Sequence, residues 1–228
     1  MSVVAKPIIL PTQKREPTQR DPGLLVLYGQ SKVGKTHVLT ELDQCLIIDT
    51  EGGARTYEAL TVEVSNLKEL VELIKELKKP ENKSLYKYIA IDTLDNVANW
   101  YESNIATSYG VKSIGDVPYG AGYGVHREKI MVLMKTLRTV CPRIILTGHR
   151  KRAIIGDTSI EVQTTSLDLM GKLKNIVSAE SDAIGYIFRR DGKLHVSFET
   201  SEELEVGSRC HHLSGQVFEF DWSKIYID

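Results

Sequence analysis

A mainly parallel β-sheet covered by helices on both faces is the fold this sequence predicts, with an antiparallel extension toward the C-terminus. Three observations predict it. Short, continuous apolar runs recur at residues 24–28 (LLVLY), 45–49 (CLIID), 88–92 (YIAID) and 143–147 (RIILT), the pattern of strands buried on both faces. Segments of helical character separate these runs, as parallel strands require. A glycine-rich loop, Gly29-Gln30-Ser31-Lys32-Val33-Gly34-Lys35-Thr36, joins the first run to the first helix, and it satisfies the G-x-x-x-x-G-K-[ST] pattern.

Taken in order, residues 1–22 are polar, contain proline and lack sustained periodicity, so they are expected to form a mobile arm, with the folded domain spanning 23–228. The loop leads into a helix over about 34–42, and the second strand follows at 45–49. Residues 66–79 put Leu67, Leu70, Val71, Ile74 and Leu77 on one helical face behind a capping Asn66. After the third strand at 88–92, helices are expected over 93–109 and 123–140, separated by the stretch SIGDVPYGAGYG. The strand at 143–147 is followed by expected strands at 153–155, 160–164, 183–189 and 194–199, the more polar ones forming the antiparallel extension.

The composition narrows the function classes. A chain of 228 residues, 42% hydrophobic and 26% charged, has material for one sizeable core and is neither disordered nor a multidomain machine. Its 29 Lys and Arg nearly balance 30 Asp and Glu, so binding to nucleic acid must come from a local patch. No apolar run reaches the roughly 18 residues of a membrane helix, and no convincing signal peptide opens the chain; a cytoplasmic protein without membrane contact is expected. The three cysteines, Cys45, Cys141 and Cys210, fit neither a disulfide framework nor paired zinc ligands and are expected as buried free thiols. The contiguous Cys210-His211-His212 cannot readily converge on one ion.

The loop carries the chemistry. Its glycines let successive N–H groups turn inward toward an anion, and the following helix adds its positive end. Lys35 is placed to reach the β- and γ-phosphates of a nucleotide, and the Thr36 hydroxyl to hold Mg²⁺. A second Mg²⁺ ligand is expected from a carboxylate at the end of a neighbouring strand, and Asp92 fits. The next residue is Thr93, not Glu, so a water-activating base must come from elsewhere. Asp49 and Glu51, in IIDTEGG, are the carboxylates at hand, with capping of the glycine turn as their alternative role.

IIDTEGGA resembles the segment of RecA-type recombinases in which a Glu just after the second strand is the catalytic carboxylate. By that resemblance Glu51 activates water. His149, in RIILTGHR, stands where RecA-like ATPases carry a γ-phosphate-sensing Gln. Together GQSKVGKT, IIDTEGG, IAIDTLD, PYGAGY, ILTGHRKR and GSRC resemble a family of phage-encoded, RecA-like P-loop ATPases described as single-strand annealing or recombination-mediator proteins. The resemblance runs over roughly residues 23–212. It implies a RecA-like core, ATP and Mg²⁺ as cofactors, and the cytoplasm of a host cell. It also implies a homo-oligomer with shared ATP sites acting on single-stranded DNA, and a single-strand DNA-binding protein or another replication or recombination protein as partner.

The residues lend this partial support. Arg150, Lys151 and Arg152 follow His149 as an expected basic loop, and Lys172 and Lys174, with Arg189 and Arg190, extend the patch for phosphate contacts. Tyr119 and Tyr123 offer faces on which bases can stack. Arg209 is the candidate for a cation donated across a subunit boundary. Two other readings remain open from sequence, an ATP-gated switch or loader with little turnover and a small-molecule kinase with Arg150 to Arg152 in its lid.

Overall fold

The computed structural model describes residues 10–17, 19–82, 84–155 and 162–227. Among them a ten-stranded sheet is built on five strands buried at the centre. β1 (Leu24–Gly29) is followed by α1 (Lys35–Thr40), β2 (Cys45–Asp49), β3 (Thr61–Glu63), α2 (Leu67–Leu77), β4 (Tyr88–Asp92), α3 (Leu94–Ser108) and α4 (Ala121–Val140). Then come β5 (Ile144–Ile155), β6 (Val162–Leu167), α5 (Leu173–Glu180), β7 (Ala183–Arg190), β8 (Lys193–Ser197), β9 (Gly207–Ser208), β10 (Val217–Glu219) and α6 (Trp222–Ile225). The strand order is β10-β8-β7-β1-β5-β4-β2-β3, with β6 paired to β5 and β9 to β7. The pairs β7–β1, β1–β5, β5–β4, β4–β2 and β2–β3 are parallel, and β8, β9, β10 and β6 attach antiparallel.

Two apolar layers explain why the central strands read as continuous hydrophobic runs. Side chains alternate across a strand, so Leu24, Val26 and Tyr28 enter one layer with Leu70, Ile74, Val97, Ile130 and Leu137 from the helices. Leu25 and Leu27 enter the other with Val38 and Leu39 of α1 and Leu213 and Ile225 near the C-terminus. Among the described residues no helix is long and apolar enough to cross a membrane.

Several boundaries differ from the sequence expectation. The helix at 66–79 is capped as expected, Glu69 donating its backbone N–H to Asn66, but Val71 is exposed while Leu73 packs against the core. The strands expected at 143–147 and 153–155 are one strand, β5, so residues 150–152 form part of a hairpin with β6 and not a loop. The strand expected at 160–164 lies partly outside the described residues and is seen as β6, two residues later. Strand β3, helix α5 and the short elements after Gly207 had no sequence expectation.

The arm expected over 1–22 is shorter at its folded end. Asp21 is buried, pairs with the Arg143 guanidinium at 3.0 Å and accepts the Ile227 backbone N–H at 2.9 Å. Arg143 in turn lies over the rings of Tyr88 and Tyr226. Residues 1–9 lie outside the described residues.

Candidate nucleotide site

In the parallel register Gly29 stands beside His149 of β5 and Ile187 of β7, so the glycine-rich loop leaves the sheet at the carboxyl ends of its strands. Open α/β sheets bind ligands there. Gly34, at φ +124°, takes a backbone conformation that L side chains rarely adopt, and it caps α1 so that Lys35 and Thr36 form the helix's first turn. A cleft of about 370 Å³ opens above, lined by Ser31, Lys32, Gly34, Lys35, Thr36, Glu51, Asp92 and His149, with His37, Gly53, Thr56 and Tyr57 completing its wall. Five of the eight expected loop residues, with Glu51, Asp92 and His149, therefore meet in one place.

Lys35 is almost fully buried and its ammonium donates to the Gln30 carbonyl at 3.2 Å. Burial lowers its pKa, against the charges of Asp92, Asp95 and Glu51, which raise it. Such a cation is poorly solvated and is matched by the arrival of an anion. The Thr36 hydroxyl donates to Asp92 Oδ2 at 2.5 Å, and the Thr147 hydroxyl to Asp92 Oδ1. Burial pushes the Asp92 carboxyl up, opposed by those two hydroxyls and the Lys35 charge. Thr36 and Asp92 thus put two hard oxygen donors side by side at the floor of the cleft, a set that fits Mg²⁺.

Asp49 and Glu51 have separate roles. The Asp49 carboxylate is buried and accepts four backbone N–H groups: Glu51 (3.0 Å), Gly52 (2.7 Å) and Gly53 (3.2 Å) on Oδ1, and Ala54 (2.9 Å) on Oδ2. It caps the glycine turn and does not line the cleft. Glu51 projects into the cleft, where it accepts the Thr93 hydroxyl at 3.0 Å and lies 3.7 Å from His149 Nδ1. His149 is also in contact with Asp95 through ring and backbone.

Sequence reasoning missed Asp95, Thr93 and Thr147 in this site. The signal for Asp95 was present: in Asp92-Thr93-Leu94-Asp95 a strand ends and a helix begins, and the first helical turn returns the fourth residue to the same edge.

The other expected site residues lie elsewhere. Arg150 donates to Tyr186 Oη at 2.9 Å and to Gln30 Oε1 at 3.0 Å, and Arg189 donates to the Val33 carbonyl at 3.1 Å. Both guanidinium groups brace the glycine-rich loop. Lys151 pairs with Asp168 at 3.6 Å and Lys174 with Glu205 at 2.7 Å, whereas Arg152 and Lys172 are exposed. Arg209 is exposed, follows β9 and bonds the Ala179 carbonyl. Since Ser208 pairs with Ala183, at the start of β7, Arg209 sits at the opposite end of the sheet from the glycine-rich loop of its own chain.

A second cavity of about 340 Å³ lies between the N-terminal ends of α4 and α5, lined by Gly120, Tyr123, His126, Arg127, Met170, Gly171, Lys172 and Leu173. Tyr119, beside it in sequence, is fully exposed.

No curated protein matches the chain by sequence. Among solved structures, the crystal structure of the RadB recombinase aligns over 90% of this chain and 90% of its own, at 16% identity and a TM-score of 0.48. The family model described as AAA domain matches residues 23–210. That span takes in the glycine-rich loop, both cleft carboxylates and His149, and the chain belongs to this AAA domain family, built on a mainly parallel α/β sheet with the glycine-rich loop at the carboxyl ends of its strands.

Proposed function

We propose that the chain binds ATP with Mg²⁺ in the cleft, hydrolyses it, and couples hydrolysis to single-stranded DNA in phage recombination or replication, in an annealing or mediator role. The observation that carries the first part is the convergence of Lys35, the Thr36–Asp92 pair and Glu51 on one cleft. Inward N–H groups of the loop and the Lys35 ammonium hold the triphosphate. Thr36 and Asp92 hold the ion, which when bound neutralises charge on the β- and γ-phosphoryl oxygens. Glu51, oriented by the Thr93 hydroxyl, takes a proton from the attacking water as the bond from the γ-phosphorus to the bridging oxygen breaks.

The DNA part rests on a different surface from the basic loop expected at 150–152. Tyr119 and Tyr123 offer stacking faces, and Arg127 and Lys172 offer phosphate contacts. A short backbone path supports coupling between the two cavities. The His149 carbonyl accepts the Asp168 N–H at 2.8 Å, and Met170 and Lys172, lining the second cavity, follow within four residues. Arg209 cannot serve its own cleft, so its proposed role is in a homo-oligomer, on the site of a neighbouring copy.

Two variants test the reading. Lys35→Ala is expected to abolish ATP binding, and Glu51→Gln to keep ATP while losing turnover by about 10²-fold or more. Turnover unchanged in Glu51→Gln assigns the cleft to a switch that does no chemistry through this carboxylate. Phosphate appearing on a nucleoside acceptor assigns it to a kinase.

A further inference from the structure

Asp95 holds His149 by both its backbone and its ring. The His149 backbone N–H lies 3.2 Å from Asp95 Oδ1 and 3.3 Å from Oδ2, and the ring Nδ1 contacts Oδ2. Residue 148 must be small for this: a Cβ there would stand 2.9 Å from Asp95 Oδ1 and 2.3 Å from Leu167 Cδ1. Asp92 and Asp95 thus leave one strand–helix junction for different partners, Asp92 for two hydroxyls and Asp95 for the histidine.

We propose that Asp95 is a positioning residue for ATP hydrolysis, holding His149, which lines the cleft, with its proton on Nδ1 and leaving Nε2 as the ring's acceptor for the attacking water. The proposal rests on reading the cleft as an ATPase site. An ionised carboxylate only accepts hydrogen bonds, so the nitrogen beside it must donate, and that bond fixes the tautomer of the ring. With its proton on Nδ1 the ring offers a lone pair at Nε2, where the sensing Gln of RecA-like ATPases offers an amide donor as well. His149 so held acts on the water: as the water oxygen bonds the γ-phosphorus and the bond from phosphorus to the bridging oxygen breaks to release ADP, one water proton goes to Glu51 and the other stays on the oxygen as a hydrogen bond to Nε2.

The test is the tautomer of His149 in the full chain, read by long-range ¹H–¹⁵N correlation on ¹⁵N-histidine protein. Its signals are identified by their loss in His149→Gln. The wild type is expected to show a protonated Nδ1 and an unprotonated Nε2. In Asp95→Asn the single amide oxygen is held by the His149 backbone N–H, so the amide NH₂ faces Nδ1 and the proton moves to Nε2. The same variant is expected to lower kcat at least about 10²-fold with KM for ATP within a few-fold, a loss of the size general base catalysis supplies. Unchanged signals from the other five of the six histidines report an intact fold.

A protonated Nε2 in the wild type overturns the proposal. So does a kcat loss in Asp95→Asn with the tautomer unchanged, which would mark a purely structural residue. If the tautomer reverses as expected but the wild type hydrolyses no ATP, the ATPase reading fails and the Asp95–His149 arrangement stands without its catalytic purpose.

Discussion

Asp49 and Glu51 stand two residues apart in one turn, yet one builds the site and the other works in it. Asp49→Ala removes the acceptor from four backbone N–H groups. A buried donor left unsatisfied costs about 1–3 kcal/mol, and with partial rescue by water we expect a loss of roughly 3 kcal/mol in urea unfolding. Glu51→Gln, at a half-exposed side chain, is expected to stay within about 0.5 kcal/mol of wild type; equal losses in the two variants would contradict the division of roles. The cysteines offer a second check. All three are buried and free, and burial pushes the Cys45 thiol up to about 12 and raises Cys141 and Cys210. The thiolate is the reactive form, so a disulfide reagent at pH 8 is expected to label the native protein slowly and all three thiols at once in guanidinium; rapid native labelling would overturn that packing.

Periodicity gave the centre of an element more reliably than its edges. In α2 the stripe Leu67, Leu70, Ile74 and Leu77 lies toward the sheet, but whether Val71 or Leu73 completes it depends on which flank the neighbouring elements cover. Ile74→Ala is expected to cost about 2–4 kcal/mol and Val71→Ser less than about 0.5 kcal/mol, measured by thermal unfolding; the reverse order would restore the sequence-based face. β5 shows a different limit. Its basic residues 150–152 have no apolar alternation, so they read as a loop, and only pairing with the next strand, β6, makes them strand. Gly148→Ala tests the site where these elements meet. Its Cβ would overlap Leu167 and crowd Asp95, and we expect a loss of about 1–3 kcal/mol together with reduced turnover.

At the scale of the molecule, the central strands and the glycine-rich loop were legible because each is defined by residues adjacent in sequence: continuous apolar runs for β1, β2 and β4, and one eight-residue loop. The meeting of Glu51, Asp92 and His149 was legible as well: Asp92 ends β4, Glu51 follows β2 by two residues, His149 stands where the parallel pairing of β5 with β1 ends, and parallel strands deliver their carboxyl ends to one side. What could not be read was contact between distant segments. Asp21 looked like part of a polar arm until Arg143 and the Ile227 backbone gave it a buried place, and Arg150 and Arg189 looked like free cations until the glycine-rich loop took them as braces. The proposed DNA surface depends on the same kind of contact, and Tyr119→Ala with Lys172→Ala is expected to reduce any DNA stimulation several-fold while leaving DNA-independent turnover in place.

The most direct measurement is steady-state ATP hydrolysis with Mg²⁺ at several protein concentrations, with and without a long, unstructured single-stranded DNA, beside Glu51→Gln. Hydrolysis that DNA stimulates, that steepens with protein concentration and that Glu51→Gln loses is the predicted result. Phosphate release indifferent to DNA, or equal in the wild type and Glu51→Gln, would contradict the account.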